Sequence, residues 1–157
     1  MLYFALKFLH IIGAAVLLGT GAGIAFFMLL AHREGKPQVI AGVARIVVIA
    51  DIVFTATAVV LQPLTGLALA HEAEHRLTEG WILMSTGLYL VIGAFWLPVV
   101  WMQAKMRDLA VEAVRAGEDL PPAYFKLFRY WFAFGFPAFA ALLVIFWLMI
   151  ARPQFGL

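Results

Sequence analysis

The chain has no cysteine. That excludes disulfide bonds, thiolate metal sites and haem attached through thioether links. Charge is nearly as scarce. Only 13% of the 157 residues are Asp, Glu, Lys or Arg, about half the share of a soluble domain. The formal net charge of +2 is small and lies in linkers, so no nucleic-acid partner is expected. Hydrophobic residues make up 65% of the chain, and they come in long runs, which calls for a lipid bilayer as solvent. The start "MLYFALKFLHIIG" lacks a basic region ahead of its apolar stretch and a convincing cleavage site. It reads as a retained membrane helix rather than a leader.

Four apolar segments, 3–31, 39–70, 81–104 and 125–151, each exceed the about 20 residues a helix needs to cross hydrocarbon. Alternating strand patterns are absent, and a backbone in lipid must bond to itself, so these are helices. The short linkers "AHREGKP" and "HEAEHRLTEG" force neighbours to run antiparallel. The expected fold is all-α: one integral membrane domain over 1–157, an antiparallel bundle of four transmembrane helices. The linker "RDLAVEAVRAGEDLPP" is long enough to begin as an amphipathic extension of the third helix.

Arg33, Lys36, Arg45, Lys105, Arg107, Arg115, Lys126 and Arg129 lie around the first and third linkers, against Lys7, Arg76 and Arg152 on the other side. The positive-inside rule places the first and third linkers in the cytoplasm of a bacterial inner membrane, with both termini and "HEAEH" in the periplasm. Trp81, Trp101, Trp131 and Trp147 fall near helix ends, as interfacial anchors do.

His10 lies about two turns into the first helix, in "LKFLHIIG". An ionisable residue at that depth faces the bundle and has a partner. It fits an axial haem ligand or a metal ligand, or else an imidazole bonded to a backbone carbonyl. Gly13, Gly19, Gly21 and Gly23 give the same helix a slim surface, admitting a close helix or a flat cofactor. The stretch His71–His75, "HEAEH", matches the H-E-x-x-H zinc signature, which needs both histidines on one helical face. No third ligand follows at a recognised spacing, so proteolysis is not expected. The motif reads as the rim of the second helix, and its functional chance comes from lying on the same side as His10.

Asp51, Thr55, Gln62 and Thr65 form a polar stripe on the second helix. Such a stripe relays protons, binds a polar group, or knits helices together by hydrogen bonds. Pro63, Pro98 and Pro137 free backbone carbonyls inside helices, for which Gln62 and Tyr89 are donors within reach. His32 closes the first helix and is expected to be exposed at the interface.

"LKFLHIIG", "DIVFTATAVVLQPLTGLALA", "GAFWLPVVWMQAKMRDLA" and "WFAFGFPAFAALLVIFWLMIARP" together resemble a bacterial family of four-helix integral membrane proteins catalogued as a domain of unknown function. More distantly, "LHIIG", the histidine closing that helix, the "GW" of Gly80–Trp81 and the proline of the fourth helix are similar to HemJ-type protoporphyrinogen oxidases and CopD-type copper-resistance membrane domains. The resemblance implies b-type haem on His10. It departs where the HemJ type has His and Lys after "GW", here Leu83 and Ser85, and where it has Glu before the proline, here Gly135. Protoporphyrinogen oxidation is therefore not expected.

The sequence leads to a haem b protein in electron transfer, with His10 on the iron and His71, or else His75, completing it. A quinone or a periplasmic protein would be the redox partner, and a homo-oligomer is allowed. The alternatives are a copper or zinc site on His10, His71 and His75, with Met84 as a softer donor for copper, and a cofactor-free structural subunit.

Overall fold

The computed structural model describes residues 1–154. They form α1 (Leu2–Glu34), α2 (Pro37–Ala50), a π-helical turn (Asp51–Thr55), α3 (Ala56–Glu72), α4 (Gly80–Ala116) and α5 (Pro122–Ala151). The segment Pro37–Glu72 is continuous through the π turn, so there are four helices long and apolar enough to cross a membrane. The fold is an all-α four-helix bundle.

The helix stops follow from local chemistry. Gly35 (φ 73°) ends α1 and Gly117 (φ 69°) ends α4, where a left-handed residue carries little strain only as glycine. Pro37 and Pro122 open α2 and α5, a position whose missing N–H would have had no partner in any case. The third apolar segment, read as 81–104, continues as one helix to Ala116. Its last turns carry Lys105, Arg107, Asp108, Glu112 and Arg115 and so run beyond the apolar stretch.

The two ends of the bundle are built differently. Near the 35–36 and 117–121 linkers, hereafter the basic end, lies an apolar core of Met28, Ile40, Met106, Tyr124, Phe128, Trp131 and their neighbours. Here α4 packs on α5 and on α2, and α1 on α2. At the other end, which holds the 73–79 linker, α1 packs along α3, while neither α4 nor α5 lies closely against α3. No hydrophobic drive pulls helices together in lipid, so this end depends on hydrogen bonds and close backbone approach.

Two expectations about single residues change. His32 is not an exposed interfacial residue: its ring stacks on Phe128 at 3.6 Å, 7° from parallel, and its Nδ1 is 3.4 Å from the Tyr124 hydroxyl. Trp131 is not an interfacial anchor but part of the core. Both lie where α5 crosses the end of α1, a contact the linear spacing does not show.

Candidate functional site

At the far end, α1 and α3 meet through His10. Gly66 lies against the imidazole, so that a Cβ there would stand 3.2 Å from His10 Cε1. Gly13 plays the same part on α1, where a Cβ would stand 2.7 Å from Gln62 Nε2. Of the slim face on α1, Gly13 therefore serves helix packing. Gly19 and Gly21 have nothing within 4 Å of a Cβ, and Gly23 meets only Phe27 of its own helix.

Hydrogen bonds fix the His10 ring. Gln62 Nε2 donates to the His10 carbonyl at 2.8 Å, and His10 Nδ1 is 2.8 Å from Thr65 Oγ1. Thr65 has one hydroxyl proton, and Leu61 O lies 2.7 Å from its oxygen, too close for two acceptors with no proton between them. The hydroxyl therefore donates to Leu61 and accepts from His10 Nδ1–H. That assigns the tautomer: Nε2 carries a bare lone pair. The one sealed polar side-chain atom without a partner among the described residues is Thr55 Oγ1, so His10 Nε2 faces accessible space. A hydrogen bond holding one ring nitrogen while the other stays free is the arrangement of metal-ligating histidines.

The other two candidate histidines are not brought to His10. α3 ends at Glu72, and Glu74 takes φ 56°, so "HEAEH" does not share one helical face. His71 is exposed and stands six residues after Thr65, about 120° around the helix from it. His75 has both ring nitrogens engaged. Arg152 Nη1 donates to Nε2 at 3.2 Å, which leaves Nδ1–H to donate to Glu79 Oε1 at 3.0 Å.

Glu79 also accepts from the Arg76 backbone at 2.8 Å and from Trp81 Nε1 at 2.7 Å. The Trp81 bond foremost, with those of Arg76 and His75, holds its carboxyl below the usual glutamate range. This linker is a clasp joining the 73–79 turn to the end of α5. Among the described residues no three His, Asp or Glu side chains group as a metal site, so the three-histidine arrangement is not formed.

The rest of the polar stripe faces inward. Pro63 has no N–H for the carbonyl of Val59, four residues earlier, and the Tyr89 hydroxyl donates to that carbonyl instead. Asp51 is 4% exposed, Thr55 7% and Gln103 2%. Trp96 Nε1 donates to Asp51 Oδ1 at 3.3 Å. The Gln103 amide, oriented by its partners, donates to Asp51 Oδ2 at 3.0 Å and accepts from Trp131 Nε1 at 3.2 Å. Trp96 and Gln103 were not singled out in the sequence, and Trp131 was read there as an interfacial anchor. The one signal for them was an amide inside the apolar run "VVWMQA".

Fold and site define a four-span helical membrane protein with two intramembrane polar clusters. The chain belongs to the family described as "Predicted integral membrane protein (DUF2269)", which it matches over residues 4–153. No curated protein and no solved structure matches it, so the resemblance to HemJ-type and CopD-type proteins gains no support from these comparisons.

Proposed function

We propose that this chain is a bacterial inner-membrane protein that binds a b-type haem near its periplasmic end through His10 and takes part in electron transfer with a quinone or a periplasmic protein. The observation that carries the reading is the state of the imidazole. Thr65, by accepting from Nδ1, leaves Nε2 unprotonated, unpartnered and accessible, as an axial ligand must be. Haem held there would supply one-electron chemistry. The chain's own part is to hold the ring by Thr65 and Gly66 and to anchor its backbone by Gln62.

The second axial position is unassigned, because His71 is exposed and His75 is bonded at both nitrogens. A copper or zinc site draws less support, since it needs histidines that do not converge. The orientation rests on the excess of Lys and Arg at the basic end.

The test is an absorption spectrum of detergent-purified protein from haem-supplied cells, oxidised and then reduced. A Soret band with sharp reduced bands is expected for the wild type, and its loss in His10→Ala. Thr65→Val, which removes the acceptor for Nδ1–H, should weaken haem retention roughly tenfold or more. A colourless wild type, or an unaltered spectrum in His10→Ala, overturns the reading.

A further inference from the structure

We propose that Asp51 and Thr55 form a proton-binding site inside the bilayer: the Asp51 carboxylate takes up one proton, and the acid O–H so formed donates to Thr55 Oγ1. The two residues open and close the π-helical turn. Both are buried, while Ile52, Val53 and Phe54 between them are exposed to lipid. The widened turn thus brings a carboxyl and a hydroxyl inward together, and such turns recur at functional sites.

Three features point to a proton as the ligand. Asp51 makes no ion pair among the described residues, and an uncompensated carboxylate in hydrocarbon costs several kcal/mol. Each carboxylate oxygen already accepts one N–H, from Trp96 and Gln103. Those donors hold the anion and repel a metal cation, which wants about six oxygen donors. The neutral acid, by contrast, needs one acceptor for its new O–H. Thr55 Oγ1, from the other end of the same turn, is sealed from solvent and without a hydrogen-bond partner. It meets that requirement. The step needs no electron, and release returns the proton to water.

Among the described residues no other charged group lies along the spans that face the site. α1 has no ionisable residue between His10 and His32, and the second span has none but Asp51 between Arg45 and His71. Between Glu79 and Lys105, α4 has only Tyr89, whose hydroxyl is bonded to Val59, and α5 has only Tyr130, which is exposed, between Arg129 and Arg152. The site shares no residue with the His10 cluster and stands whether or not haem binds there.

The experiment is an NMR pH titration of protein labelled with ¹³C at the aspartate carboxyl, in phospholipid nanodiscs. The chain has only Asp51, Asp108 and Asp119, and the last two are exposed. Asp51→Asn assigns the signal, and Asp51→Glu also deletes the labelled carbon should the first variant not fold.

A reversible titration of Asp51 is expected, with upward shifts in two variants. Thr55→Ala removes a hydroxyl that accepts from the acid but donates more strongly to the anion, and should raise the midpoint. Trp96→Phe removes a donor to the anion and should raise it too. Each shift should be on the order of one pH unit. An Asp51 signal that stays fixed while the folded protein's other aspartates titrate overturns the proposal. So does a midpoint that neither variant moves, or a response to added sodium at constant pH in place of the response to pH.

Discussion

The basic end and the far end of this bundle are held together by different forces. At the basic end Phe128, Tyr124, Met28 and Met106 interdigitate, and the polar groups there, His32 among them, are packed on aromatic rings. At the far end the side chains of α1 and α5 mostly face lipid, and α3 is joined to α1 and α4 by single hydrogen bonds: His10 to Thr65, Gln62 to His10, Tyr89 to Val59. A close-packed end tolerates little change of shape. An end joined by directed bonds can present a free ring nitrogen while keeping the ring in place. The contrast gives one end close packing and leaves the other a histidine nitrogen without a partner.

The largest effect should come from Phe128→Ala, which removes a buried ring stacked on His32 at 3.6 Å. A loss of about 3 kcal/mol is expected in a reversible denaturation series in mixed micelles. Phe136→Ala, eight residues further along α5 at a lipid-exposed position, should change stability by less than about 0.5 kcal/mol. Equal losses would break the comparison between the ends.

A smaller effect tests a joint of the far half. Tyr89→Phe should cost about 1 kcal/mol, because the Val59 carbonyl that Pro63 leaves unpaired loses its donor. In a Pro63→Ala background the backbone N–H can serve that carbonyl, and Tyr89→Phe should then be nearly neutral. The double-mutant cycle decides it: additive losses would mean that Tyr89 acts by packing alone.

Smaller again is the difference between two glycines on α1. Gly13→Ala should displace Gln62 and lose its bond to His10, on the order of 1 kcal/mol, because the new Cβ would stand 2.7 Å from Nε2. Gly19→Ala meets nothing within 4 Å and should be neutral or slightly stabilising as a better helix former. Thermal unfolding of the two variants side by side measures the difference, and a Gly19 loss as large as that at Gly13 would return the G-x-x-x-G face to helix packing.

The sequence made the spans legible because apolar runs bounded by Gly35, Pro37, Gly117 and Pro122 leave the backbone few choices. It also exposed Asp51, Thr55, Gln62 and Tyr89, since a polar group in hydrocarbon must have a partner. The partners themselves were harder to see. Trp96 and Trp131 look like any aromatic in an apolar run, and only the folded chain aims their N–H groups at Asp51 and Gln103. The end of α3 was hidden for another reason. "HEAEHRLTE" contains neither Gly nor Pro, and the left-handed turn falls on Glu74 at φ 56°. A helix-period reading therefore sees two histidines on one face that the backbone separates. The π turn is likewise invisible, because no residue in "DIVFT" requires it.

The smallest effect expected is at the 73–79 clasp, and its sign follows from Glu79. Trp81 Nε1 above all, then the Arg76 N–H and His75, stabilise the Glu79 carboxylate and hold its titration below the ordinary 4.5. A carboxylate with a depressed folded-state value stabilises the fold above its unfolded value, and that contribution is lost as pH falls through the folded value. The clasp should thus be intact at neutral pH and loosen only below about 4.5, freeing the Trp81 indole from its 2.7 Å bond. The bonded residues lie at the bilayer edge, where water screens them, so the signature should be local. A change in Trp81 fluorescence on acidification is expected in the wild type and not in Glu79→Gln, with helical content constant in both. Because Arg152 reaches both His75 and the Trp81 face, 5.4 Å from its centroid, Arg152→Ala should shift the same fluorescence at neutral pH. If acid instead unfolds the helices together with the clasp, the linker is part of the cooperative core, and the division between a packed end and a bonded end fails there.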